Sequence, residues 1–108
     1  MPDFDEFLTS LKSDLGDLAH RFGDDVKTEL VKDGKAFALK SKKDLERWMT
    51  ELVNGKLSQD DFEWLVKGKK DLAEMEALKQ KGLAMAKIDK YRSALLDTVI
   101  SSAFKLVP

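Results

Sequence analysis

Few side chains in this sequence could start a reaction. His20 is the only histidine and cysteine is absent, which removes thiol nucleophiles and leaves one imidazole as the obvious base at neutral pH. His20 follows Ala19 beside an apolar seam, a place that suits an imidazole bonded to a carboxylate better than a general base. The carboxylate pairs Asp24-Asp25 and Asp60-Asp61 are adjacent in the chain, and adjacent residues on a helix diverge by about 100 degrees. They fit helix first turns better than shared acid/base work. No Glu-x-x-His pair offers a di-iron site, and Gly34, Gly55, Gly68 and Gly82 are too widely separated to make a phosphate loop. The expectation is a non-enzyme with no catalytic or metal-binding residues, no cofactor and no small-molecule substrate.

Residues 51–64, ELVNGKLSQDDFEW, pose the sharpest test of that expectation. Asn-Gly followed by a carboxylate resembles the back half of an EF-hand calcium loop. With Asn54 and Gly55 at the fifth and sixth positions, Thr50, Leu52 and Asp61 take the first, third and twelfth, where calcium needs carboxylates and a bidentate Glu. The resemblance covers half of one motif and carries over no ligand. The same letters describe a helix-to-helix turn: Gly55 closes one helix in the left-handed conformation and Ser58 caps the next. Asp60 and Asp61 then lie in a positively polarised first turn, and Leu57 and Phe62 hold the staple positions.

Lysines supply the other chemistry. KSKKDLE at 40–46 recurs as KGKKDLA at 67–73, nearly equidistant from Gly55. In a hairpin folded there, Lys40, Lys42, Lys43, Lys67, Lys69 and Lys70 face one another as a belt able to hold phosphate, nucleic acid backbone or an acidic partner. A lysine run followed by Asp is also an ordinary solvated face, and opposed like charges splay apart, so the solvated reading carries more weight. Trp48, Phe62 and Trp64 near the turn raise the alternative of a tip dipping into membrane headgroups. Trp48 shares a stripe with Leu45 and Leu52, which places it in a core and leaves Trp64 partly exposed or in a subunit contact.

The elements that must hold these groups are helical. Phe4, Leu8, Leu11, Leu15, Leu18 and Phe22 recur at alternating steps of four and three, a coiled-coil seam that Asp3 caps and Val26 and Leu30 prolong. Gly16 and Gly23 weaken that helix without stopping it. Asp33-Gly34 is the expected bend or break, with a second at Gly68. Phe37, Leu45, Trp48, Met49, Leu52 and Val53 form the next face, with Ser41 its one polar member. Ile88, Tyr91, Leu95 and Val99 line one side of the last helix, and Leu96, Ile100, Phe104 and Val107 an adjacent one. No stretch alternates as a strand would, and both prolines are terminal.

With 108 residues, 43% hydrophobic and 36% charged, the chain predicts a single all-α domain over residues 1–108. Arm one is residues 3–53, the turn 54–57 and arm two 58–107. Residues 1–33 hold nine acidic and four basic side chains, whereas 78–108 hold two and six, so the ends are electrostatic complements. The favoured architecture is an elongated antiparallel hairpin that oligomerises, with a small helical bundle as the alternative. Leu95, Leu96, Val99, Ile100, Phe104 and Val107 are its expected subunit interface, since so wide a stripe wants more than one partner helix. The start Met-Pro-Asp-Phe-Asp-Glu lacks a secretory pattern, and the stretch from Leu95 to Val107 is too short to span a bilayer, which points to the cytoplasm. The function expected is a helical interaction or scaffold protein acting through self-association or a partner helix. An anion-binding module for headgroups or nucleic acid, using the lysine belt, ranks second.

Overall fold

The first helix, α1 (Phe4–Phe22), starts where Asp3 accepts the backbone N–H of Asp5 through Oδ1 at 2.9 Å, with Asp5 and Glu6 in the polarised first turn. Phe4, Phe7, Leu11, Leu15, Leu18 and Ala19 are its buried positions. Phe7 is fully buried where the seam predicted Leu8, which is only half-buried, and Phe22 is 37% exposed at the edge of the core. The computed structural model describes residues 3–107, with only the backbone of Asp24.

Gly23 ends α1, contrary to expectation. Its φ of 118° is open to glycine and strained for other residues. A short 3-10 turn (Asp24–Val26) follows, and α2 (Lys27–Lys40) runs back along α1. The antiparallel course brings Leu15 against Gly34 and the ammonium of Lys42 over the Phe4 ring.

Gly34 therefore neither breaks nor ends a helix. It sits buried in the middle of α2, where the missing Cβ admits the Leu15 side chain. The interruption comes later, at Ser41, between α2 and α3 (Lys42–Val53). Ser41 donates its N–H to the Phe37 carbonyl at 3.0 Å, and its own carbonyl accepts from Leu45 at 2.8 Å, so helical hydrogen bonding carries through the joint.

The turn at Asn54-Gly55 has the geometry its residues imply. Gly55 is left-handed (φ 74°), Lys56 N–H bonds to the Glu51 carbonyl at 2.8 Å and Gly55 N–H to that of Leu52 at 3.3 Å, the two bonds of a Schellman motif. Ser58 Oγ then accepts from Asp61 N–H at 3.0 Å to open α4 (Gln59–Lys67). Phe62 is fully buried and Leu57 half-buried at the staple positions. Gly68 ends α4, a 3-10 turn (Lys70–Leu72) leads to α5 (Glu76–Gln80), and α6 (Met85–Lys105) closes the fold.

One core gathers side chains from each helix of the described residues, among them Phe7, Leu11, Leu15, Leu30, Phe37, Leu45, Met49, Phe62, Leu78 and Leu95. The radius of gyration is 13.4 Å and the extents are 42 × 23 × 20 Å. An unbroken first arm would reach about 75 Å, so the elongated hairpin is replaced by a compact all-helical globule. The breaks at Gly23, Ser41 and Gly68 shorten the arms enough to share one interior.

α1 also lies antiparallel to α6. Asp14 accepts from Ser102 Oγ at 2.5 Å and pairs with Lys105 at 2.8 Å, while Phe22 and Tyr91 meet edge to face at 5.2 Å between centroids. The acidic first helix thus does lie along the last one.

Candidate interaction surface

The two lysine motifs meet in space through one ion pair, and carboxylates neutralise half of their lysines. Lys69 of the second motif pairs with Asp44 of the first at 2.7 Å, and its ammonium stands 5.9 Å from the Trp48 ring centroid. Lys40 pairs with Glu74 at 2.6 Å and Lys67 with Glu63 at 2.8 Å. The hydrogen bond from Lys69 holds the Asp44 carboxyl below its ordinary range, and the Lys40 bond does the same for Glu74. Lys42 lies over Phe4. Lys43 and Lys70 have no ion pair among the described residues.

The expected subunit interface on α6 is consumed within the chain. Leu95, Leu96, Val99 and Ile100 are no more than 6% exposed, because α1, α2 and α4 all pack against α6. Phe104 and Val107 are half-buried, and the Phe104 ring meets Phe62 of α4 at a tilt of 48° with centroids 5.6 Å apart. The broad stripe did need several partner helices, and they belong to the same molecule.

The buried carboxylate of Asp33 lines a cleft of about 200 Å³ between α2 and α5. Its oxygens accept the N–H groups of Ala77 at 2.8 Å and Leu78 at 3.0 Å. Those are first-turn donors of α5, whose N-cap residue, Met75, is left-handed (φ 58°) and makes no side-chain cap. Asp33 supplies the cap from another helix, and with both oxygens engaged it is a structural acid. Lys81, just past α5, pairs with Glu29 of α2 at 2.7 Å and bonds to the Asp25 carbonyl. A helix of five residues cannot persist alone; α2 grips this one at both ends.

Elsewhere polar groups are similarly committed. Burial pushes the Asp14 carboxyl up, but hydrogen bonds from Lys105 and Ser102 and the Lys105 charge outweigh it and hold the group below its ordinary range. Burial and the Asp25 charge raise the Tyr91 phenol. Among the described residues, no group of three or more His, Asp or Glu side chains is placed to hold a metal ion. None of the described helices is long and apolar enough to cross a membrane.

Met85 at the start of α6 is 59% exposed, and two helix faces also turn outward with a large apolar side chain on each. On α2, Lys32, Lys35 and Leu39 are exposed at steps of three and four, and Lys43 follows four residues later across the Ser41 joint. Leu39 is 49% exposed, a large apolar side chain amid cations. Lys32 and Lys35, like Lys43, have no ion pair among the described residues. On α4, Trp64 is 75% exposed, with exposed Asp60 and Asp61 four and three residues before it on the same side. Trp48 by contrast is buried, as its stripe predicted. Grouping lysines by adjacency hides the α2 stripe; grouping them at helical spacing reveals it.

Compared with known proteins, the chain matches no family model, no curated protein and no solved structure.

Proposed function

We propose that this protein is a non-enzymatic helical interaction protein that works through an exposed helix face, by self-association or by taking up a partner helix. The observation that carries the reading is Trp64. A tryptophan three-quarters exposed on a helix anchored by the buried Phe62 and Val66 offers a large apolar surface of the kind enriched at the centre of protein contacts. The oligomer expected from α6 moves to such outward faces, since Leu95, Leu96, Val99 and Ile100 have no surface to offer, with only Phe104 and Val107 left to contribute at the rim. A cytoplasmic setting belongs to the same reading.

Light scattering over a concentration series tests it, alongside the Trp64→Ser variant. A species heavier than the monomer, lost in the variant, is expected. A monomer at all concentrations, combined with a Trp64→Ser variant indistinguishable from the parent in every binding assay, overturns the reading.

A second reading, binding of headgroups or nucleic acid through the lysine belt, keeps Lys42, Lys43 and Lys70 as candidates. Carboxylates already neutralise Lys40, Lys67 and Lys69, and Asp60 and Asp61 beside Trp64 would repel an anionic surface. Salt-sensitive co-sedimentation with anionic vesicles or nucleic acid, abolished in a Lys42→Gln, Lys43→Gln, Lys70→Gln triple variant, would favour it instead.

A further inference from the structure

The stripe on α2 and the face on α4 complement each other. Each centres on one exposed apolar side chain, Leu39 and Trp64, and the exposed charges beside it that have no ion pair among the described residues are of a single sign; Lys67, three residues after Trp64, is paired with Glu63. The spacings also correspond. Asp60 stands four residues from Trp64, as Lys35 and Lys43 each stand four from Leu39. One helical turn therefore separates charge from apolar centre on both faces. Lysines flank Leu39 on both sides, so a helix laid across it in either direction sets Asp60 and Asp61 against an ammonium.

We infer that the Lys35–Leu39–Lys43 stripe is a docking surface for a second copy of this chain, which seats Trp64 on Leu39 and sets Asp60 and Asp61 against the lysines. The inference rests on the self-association reading above and names the faces that carry it. Stacking the indole on Leu39 removes from water two large apolar groups that the fold leaves exposed, and the flanking lysines gain the indole face as well as the carboxylates. Exposed charge pairs contribute direction and association rate more than affinity. The contact is small, so assembly is weak, concentration-dependent and salt-sensitive. An anionic vesicle would satisfy the lysines but would meet repulsion at Asp60 and Asp61 and leave Trp64 unused; a second copy uses both faces. Because two different patches meet, the contact either closes as a reciprocal pair or propagates as a row of molecules.

The test is a charge exchange in the full chain, read by light scattering and sedimentation. One variant carries Lys35→Glu and Lys43→Glu, another Asp60→Lys and Asp61→Lys. All four side chains are exposed, and thermal melts verify that each variant folds. Each variant alone is expected to self-associate about tenfold more weakly than the parent or worse. Their equimolar mixture is expected to recover the parent's association, since every opposed pair is again of opposite sign. Trp64→Ser and Leu39→Ser should each weaken assembly without charge change. Self-association that ignores all four variants overturns this pairing of faces and leaves the broader reading standing on another face. A strictly monomeric parent overturns the pairing and confines the broader reading to a foreign partner helix. Capture of the monomer by anionic vesicles, lost with Lys35→Glu and Lys43→Glu, assigns the stripe to lipid and overturns the pairing too.

Discussion

Asp33 and Leu78, forty-five residues apart, are joined by a 3.0 Å hydrogen bond from the Leu78 backbone N–H to Asp33 Oδ2, with the companion bond from Ala77 N–H ending on Oδ1. A side chain in the middle of α2 thereby starts α5. Replacing Asp33 with Ala strands two N–H groups in a buried setting, at a cost of about 1–3 kcal/mol. Asn keeps one acceptor oxygen and should lose less. Denaturant unfolding gives the magnitudes, and amide exchange should rise first at Leu78 and its neighbours in α5. Equal protection in parent and Asp33→Ala would refute the capping role.

The neighbouring glycine makes a second prediction by contrast with Gly16. A Cβ on Gly34 would overlap the fully buried Leu15 side chain, whereas one on Gly16 would meet only the flexible end of Lys27 at 3.3 Å. Both lie inside helices, where Ala gains about 0.5–1 kcal/mol over Gly. At Gly16 that gain should survive and stabilise the protein. At Gly34 overpacking, which costs about 1–3 kcal/mol, should outweigh it. Thermal melts of Gly16→Ala and Gly34→Ala are therefore expected to move in opposite directions.

Ser41 is 2% exposed and its hydroxyl oxygen has no hydrogen-bond partner among the described residues. Ala at this joint removes a stranded polar group and improves helix propensity. A stabilisation of about 1 kcal/mol is expected for Ser41→Ala; a clear loss of stability would show that the hydroxyl is engaged in solution.

Acid should act through Asp14. Against the upward push of burial, Lys105 and Ser102 hold its carboxyl below the ordinary 3.8 in the folded chain, so the stabilisation from this contact is complete above that pH. It fades as pH falls through the lower folded value. Asp44 and Glu74, depressed by Lys69 and Lys40, contribute in the same sense. Asp14→Asn should lower stability at neutral pH and flatten the acid limb of the stability curve. Ser102→Ala, which keeps the charge pair, should cost about 0.5–1.5 kcal/mol and leave most of that limb in place.

The features legible in the sequence are those decided locally. The turn from Asn54 to Ser58 combines a left-handed glycine, a serine cap and a staple within a dozen residues, and its geometry follows from them. Asp33-Gly34 reads as a turn by the same local logic, yet its Asp serves α5 and its Gly serves Leu15, partners that no local window contains. The stop at Gly23 is masked because Val26 and Leu30 continue the apolar stripe at helical spacing. The stripe on α6 does want several helices, but width alone does not say whether they come from one molecule or two. The outward faces need both helix boundaries and burial before lysines at 32, 35 and 43 stand out as a row.

The bond between Asp14 and Ser102 closes over 88 residues of sequence, with Lys105 adding its own from just beyond. A ribosome must add all of those residues before the first helix can meet that partner. Until then the long-range contacts of α1 with α6 are missing, and its packing against α2 is the main tertiary support it can gain.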